Sequence, residues 1–268
     1  MVSHLLGLPE TPLVTFLTLV IGGLSVFFIL GTLSYMFFFV WRRPKFHPEY
    51  HADRKSVRKA MKWSAISVIG NAVLVAPFHY FLARGYGSIY WDVSEYGWAW
   101  LGGSVLLMLV WGETLIYWIH RALHGNLLYH KLHHIHHQWR ESTPWVGVAF
   151  HPLDAFFQGL PHHVFAFLFP VHAGVYLVSV SLVSVWAVSI HDRISFVRWP
   201  WLNNTGHHTL HHWYCDYNFG QYTTFWDRLC GTHKTPFEGC EDVPEGVLAE
   251  TWLATRHEEP EPEVRQAA

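Results

Sequence analysis

Charge and cysteine are both scarce in this sequence. Asp, Glu, Lys and Arg make up 14% of its 268 residues, while 51% are hydrophobic and 17% aromatic. That is little charge with which to clothe a water-soluble surface, and it points to a membrane. There is no basic excess either. The formal net charge is -2 and no basic groove is interleaved with aromatics, which excludes a nucleic-acid partner. The three cysteines, Cys215, Cys230 and Cys240, are odd in number and lack C-x-x-C spacing, which excludes a disulfide framework and a zinc ribbon. Internal repeats and a second domain are also missing. What is there in abundance is histidine, at 22 copies against 18 of lysine and arginine together.

The apolar residues are gathered in long runs. Thr11 to Trp41 carries no charge, and a helix of about 30 residues rises roughly 45 Å, enough for one tilted span. The run is too long for a cleavable signal peptide, has no basic segment before it and ends in Arg42 and Arg43 without a small-residue cleavage site. From Arg42 to Lys62 the chain has Arg42, Arg43, Lys45, Arg54, Lys55, Arg58, Lys59 and Lys62 against Glu49 and Asp53, so the positive-inside rule places this segment in the cytosol. Trp63 to Ala83 crosses back, a loop rich in Gly, Tyr and Trp follows, and Trp98 to Ile119 returns to bring His120 out on the cytosolic side. Leu153 to Ile190 is long enough for a helical hairpin; hydropathy does not decide whether both halves span. The expected fold is an all-α integral membrane protein of about four membrane helices: two spans, one helix leading into the first histidine group, and then a helical hairpin, with a cytosolic histidine-rich di-metal cap. Residues 1–232 form the membrane-embedded domain, and 233–268 an acidic, disordered tail.

The histidines fall in clusters with ligand spacing. His120 and His124 project from one helical face and can share a metal ion. Glu113 and Tyr117 lie on the same face, and a carboxylate buried near the end of a membrane helix suits the role of accepting the spare N–H of a metal-bound imidazole. In HKLHHIHH two helical stripes compete, His130/His133/His134/His137 and His133/His136/His137, and spacing alone does not choose. GHHTLHH pairs His207 with His211 and His208 with His212. His151 stands just before the second apolar region and His191 just after it. All the clusters are expected at one membrane surface, which implies a shared metal site. Imidazole suits zinc, iron and copper alike, and eight or more ligands exceed what one tetrahedral ion uses, so two ions are implied.

HRALH, LHHIHH, HPLD, SIHD, GHHTLHH, DYNFGQY and FWDRLCGT, in that order between about Glu113 and Thr232, resemble the fatty acid hydroxylase superfamily, and most of all its sterol C5-desaturase branch. The resemblance settles the middle box as His133, His136 and His137, leaving His130 and His134 as surface residues, and makes His208, His211 and His212 the last box, with His207 before it. The metal ligands it implies are His120, His124, His133, His136, His137, His191, His207, His208, His211 and His212. Glu113, Tyr117, His151 and Asp216 are expected to stand behind them; at Glu113 the family typically has aspartate. It further implies two iron ions, with zinc able to substitute in purified protein, and O₂ as cosubstrate. A lipid or sterol is the expected substrate. Nothing in the chain resembles a fused haem domain, so the electron donor is expected to be separate, cytochrome b5-like or ferredoxin-like.

The chemistry is hydrogen-atom removal from an unactivated C–H bond. Loss of a second hydrogen gives a double bond and oxygen addition gives an alcohol; small positional differences divert the outcome. A lipid hydroxylase acting on a fatty acyl chain, ether lipid, carotenoid or methyl sterol is therefore the alternative enzyme, and a histidine-rich metal transporter the alternative of another class. The expected location is the endoplasmic reticulum in a eukaryote and the inner (cytoplasmic) membrane in a bacterium.

Overall fold

The computed structural model describes residues 5–236 apart from 49, 196 and 198. Most of the acidic segment expected to be a disordered tail lies outside the described residues, from 237 onward. Helix α1, Pro12–Ser34, starts where Thr11 Oγ1 accepts from Val14 N and Pro12 occupies the first turn. It continues through a π-helical stretch, Tyr35–Trp41, into the short α2, Arg43–Phe46. Asp53 caps α3, Arg54–Ala83, whose basic first turns precede its apolar length. A loop carrying the two-residue strand β1, Ile89–Tyr90, leads to α4, Gly97–Leu123. After α5, Asn126–Lys131, the chain makes 3-10 turns at His133–Gln138 and Pro144–Val146. Helix α6, Pro152–Leu168, strand β2, Val171–His172, and α7, Ala173–Ile190, form the hairpin. Two short helices, α8 (Thr205–Tyr214) and α9 (Phe225–Leu229), complete the described chain.

Among the described residues, four helical rods are long and apolar enough to cross a membrane: Pro12–Trp41, Arg54–Ala83, Gly97–Leu123 and Ala173–Ile190. Their outward faces carry large apolar side chains, with Leu33 64%, Val110 65% and Leu182 55% exposed. Such a belt is a liability in water and is suited to lipid. The protein is a multi-pass membrane protein.

The hairpin reaches fully across the bundle. β1 and β2 pair in parallel, Ile89 with Val171 and Tyr90 with His172. Ser88 N donates to Ala166 O at 2.8 Å, and Trp100 Nε1 to Pro170 O at 3.0 Å. The turn between α6 and α7 therefore lies against the loop joining α3 to α4, so α6 traverses the bundle despite its 17 residues. At that end Met108, Phe165, Val171 and Tyr176 form one core cluster. At the other end Phe27, Ala60, Trp139, Trp145, Val146 and Val188 form a second. Gly70 permits α3 to meet the start of α6, since a Cβ there would stand 2.5 Å from the Pro152 ring. These contacts set the first turn of α6 beside the histidines.

Candidate metal centre

Among the described residues, nine imidazoles converge at one end of the bundle as two groups. His120, His124, His133, His137 and His211 form the first; His136, His191, His208 and His212 form the second; within each, the candidate ligand atoms lie within 4.8 Å of one another. The end of α4 supplies His120 and His124, and α8 supplies His208, His211 and His212. Asn204 fixes the start of α8 by accepting from Gly206 N and His207 N. His191 follows the last residue of α7, and the middle box occupies the 3-10 turn.

The nitrogen geometry fits a cation. His120 Nδ1 donates to Phe219 O, His191 Nδ1 to Ala187 O and His211 Nδ1 to Tyr217 O, while His133 Nδ1 meets Asp154 Oδ2 at 2.7 Å. A neutral imidazole bound through Nδ1–H presents a lone pair at Nε2. Yet His120 Nε2 and His133 Nε2 stand 3.2 Å apart, facing each other. In the second group His191 Nε2 lies 2.9 Å from His208 Nε2, 3.1 Å from His212 Nε2 and 3.3 Å from His136 Nε2. Metal–nitrogen bonds of about 2.1 Å place neighbouring ligand atoms about 3.0 Å apart at right angles and about 3.4 Å apart in a tetrahedron. Opposed lone pairs at that spacing need a positive ion between them. The buried Nε2 atoms of His124 and His211 have no hydrogen-bond partner among the described residues.

Burial also keeps these rings neutral. It holds His136, His137, His208, His211 and His212 well below the ordinary imidazole range, with neighbouring histidines adding to the effect. His191 is lowered to about 4, its bond to Ala187 opposing the burial. The neutral form is the one that binds metal.

The residues expected behind the ligands are placed differently from their sequence reading. Glu113 accepts from Tyr222 N at 2.8 Å and from Thr223 N and Oγ1 at 3.2 and 2.9 Å, not from a histidine. Asp227 accepts from Phe219 N, Gly220 N and Thr232 Oγ1, each at 2.8 Å. Two carboxylates thus clamp the loop whose Phe219 carbonyl orients His120. Tyr117 donates to Thr232 Oγ1 and so supports Asp227. His151 caps α6 through Leu153 N, Asp216 is exposed after α8, and neither is brought into the two groups. His207 also lies outside both; its Nδ1 sits 3.0 Å from Asn204 Oδ1, and burial lowers it to about 3. His130 and His134 are exposed.

The carboxylate that does touch a histidine is Asp154, fully buried between His133 Nδ1 and Gln158 Nε2, each at 2.7 Å. Its signal in the sequence was its isolation as the one charge within Leu153 to Ile190. Asp227 lies within the FWDRLCGT stretch that carries the resemblance, but was not singled out there as a site residue.

A cavity of about 380 Å³ opens from the second group into the bundle, between α1, α3, α6 and α7. His136, His191 and His208 line one part of it, together with His120 of the first group. Both histidine groups of the candidate centre thus lie at one end of this space.

Residues 105–232 match the fatty acid hydroxylase family. Human lathosterol oxidase is 40% identical over 226 residues, 82% of this chain and 75% of that protein. A Delta(7)-sterol 5(6)-desaturase of Gibberella zeae is 36% identical over 245 residues, 89% of this chain and 75% of that one. That of Schizosaccharomyces pombe is 38% identical over 220 residues, 82% and 66% respectively. No solved structure matches. The chain belongs to the fatty acid hydroxylase superfamily and is an oxidoreductase. Its curated relatives within that superfamily include lathosterol oxidase and Delta(7)-sterol 5(6)-desaturases.

Proposed function

We propose that this protein introduces the 5(6) double bond into a Δ7-sterol, with two iron ions held by the nine converging imidazoles. The observation that carries this is the pair of Nε2 clusters opening directly on an apolar cavity within the bundle, together with the names of the relatives. The sterol gives up two hydrogens, and O₂ takes them with two further electrons and two protons to leave two waters. When bound, iron supplies O₂ activation and hydrogen-atom removal. The chain's own part is positional. His120, His136, His191 and His208 form the reactive end of the cavity, while α1, α3, α6 and α7 wall it with apolar side chains and exclude water. Asp154 and the Phe219, Ala187 and Tyr217 carbonyls hold imidazole tautomers with Nε2 directed inward.

The two electrons come from a separate carrier, cytochrome b5-like or ferredoxin-like. The histidine end faces the cytosol. Exposed Arg42, Arg43, Lys45, Arg54, Lys55 and Arg58 lie at that end, whereas the opposite loop has Arg84 against Asp92 and Glu95. The test is conversion by iron-loaded protein in lipid discs, given a Δ7-sterol and a reducing system. A product two mass units lighter, formed with O₂ and absent without it, is expected. A product sixteen units heavier would make the protein a hydroxylase instead.

A further inference from the structure

The cavity has a second polar end that the di-metal centre does not use. His79 on α3, His163 on α6 and Tyr176 on α7 meet at the end of the bundle where β1 pairs with β2. Tyr176 Oη is 2.7 Å from His163 Nδ1 and 3.4 Å from His79 Nε2, and the two imidazole centroids are 5.1 Å apart. His79 and His163 are each 4% exposed, Tyr176 is wholly buried, and both histidines line the cavity. Polar groups at such depth in a membrane protein are costly unless they do something.

Their hydrogen bonding is also incomplete. The three side chains carry three N–H or O–H donors, and the tyrosine hydroxyl can join the two imidazoles only through its own proton and lone pairs. His163 Nε2 and His79 Nδ1 make no hydrogen bond to a described residue. Asn71, two turns before His79 on α3, lines the same cavity, and its buried Oδ1 has no partner among the described residues. A cluster that existed only to join three helices would gain by satisfying these atoms or by being apolar.

Depth fixes what these atoms can reach. Nine residues of α6 separate Asp154, behind His133, from His163, about 13 Å at ~1.5 Å per residue. Along α7 fifteen residues separate Tyr176 from His191, about 22 Å on the same rise. A group held at the far cluster is therefore at the opposite end of a lipid from the carbon presented to the histidines.

We propose that His79, His163 and Tyr176 bind a hydroxyl at the end of the lipid remote from the oxidised carbon. Resting on the sterol assignment above, ring B lies at the metal centre and the side-chain terminus at this cluster, so the preferred sterol carries an oxygen on its side chain. The imidazole nitrogens left open supply one acceptor and one donor, which a hydroxyl matches and a terminal methyl does not.

The test is equilibrium binding to the full chain in lipid discs, with two pairs of probes: a Δ7-sterol with and without a terminal side-chain hydroxyl, and a long-chain acyl lipid with and without an ω-hydroxyl. The hydroxylated sterol is expected to bind about tenfold more tightly than its parent, as one buried hydrogen bond allows. His163→Phe and His79→Leu should remove that preference to within twofold while leaving affinity for the parent sterol intact, which also reports that they fold. His163→Gln, with an amide donor and acceptor, should restore part of it. Preference within the acyl pair alone, lost in the same variants, would keep the far hydroxyl site and overturn the sterol assignment. Equal affinities within both pairs, or a preference that survives His163→Phe and His79→Leu, would overturn the site.

Discussion

Asp154→Asn tests whether the carboxylate behind His133 governs one metal ion and not the other. The contact is 2.7 Å between two fully buried groups, and the other hydrogen-bond partner of Asp154 among the described residues is Gln158. The asparagine keeps the shape and can still accept from Nδ1–H, but it withdraws the negative charge that raises the basicity of Nε2. Loss of such a partner weakens metal binding by about 10- to 100-fold, or ~1.4–2.8 kcal/mol. His133 belongs to the first group only. Titrating metal-loaded protein with chelators of graded strength should therefore release one ion of the two at a chelator strength about 10- to 100-fold lower than in the parent. The other should leave within threefold of its parental point. Gln158→Leu, which removes only the donor on the far oxygen, should have a smaller effect in the same direction. If both ions keep their parental affinity, or both weaken equally, Asp154 does not act through His133 and the division into two groups is wrong.

His133→Gln and His137→Gln should abolish conversion and lower metal content, whereas His130→Gln and His134→Gln, which alter exposed rings, should retain most of both; product analysis and metal analysis on the same preparations decide. Glu113→Gln should weaken the clamp on Tyr222 and Thr223 and lower stability by about 1–3 kcal/mol, with a partial loss of activity; an unchanged melting temperature would refute the clamp. Metal-free protein should lose stability as pH falls through the ordinary imidazole range. His191 and His207 are depressed to about 4 and about 3 when folded, so below about 6.5 the unfolded chain takes up protons that the folded one refuses, and stability drops until the folded values are reached. A melting temperature flat between pH 7 and 4.5 would count against that burial.

Much of this arrangement is written in the sequence because its signals are long or paired. Thirty uncharged residues declare a span, and imidazoles four apart at the end of a membrane helix declare a shared face. What escapes is whatever depends on a partner far along the chain. Glu113 is recognisable as a buried carboxylate, but its partners are backbone amides 109 and 110 residues later, and no spacing rule reaches them. His207 and His211 have the same separation as His208 and His212; Asn204, capping α8 and holding the His207 ring, separates the two pairs. Hydropathy left the α6–α7 hairpin open between spanning and embedding, and the parallel pairing of two residues with β1, 82 residues earlier, which sets its turn against the loop between α3 and α4, is a contact no hydropathy pattern shows.

The two H-x-x-H-H boxes divide their rings in complementary ways. From the middle box, His133 and His137 go to the first group and His136 crosses to the second; from the last box, His208 and His212 go to the second group and His211 crosses to the first. Helical periodicity does not foretell this in the middle box, which winds as a 3-10 turn where residues three apart eclipse. There the helical wheel would pair His133 with His136, and side-chain reach separates them. Each box therefore supplies both groups. The crossing residues leave unequal sets behind them. Without His211 the first group keeps four imidazoles, while without His136 the second keeps three. Metal loss should accordingly be steeper in His136→Ala than in His211→Ala, and equal losses would mean that the five rings of the first group do not all bind.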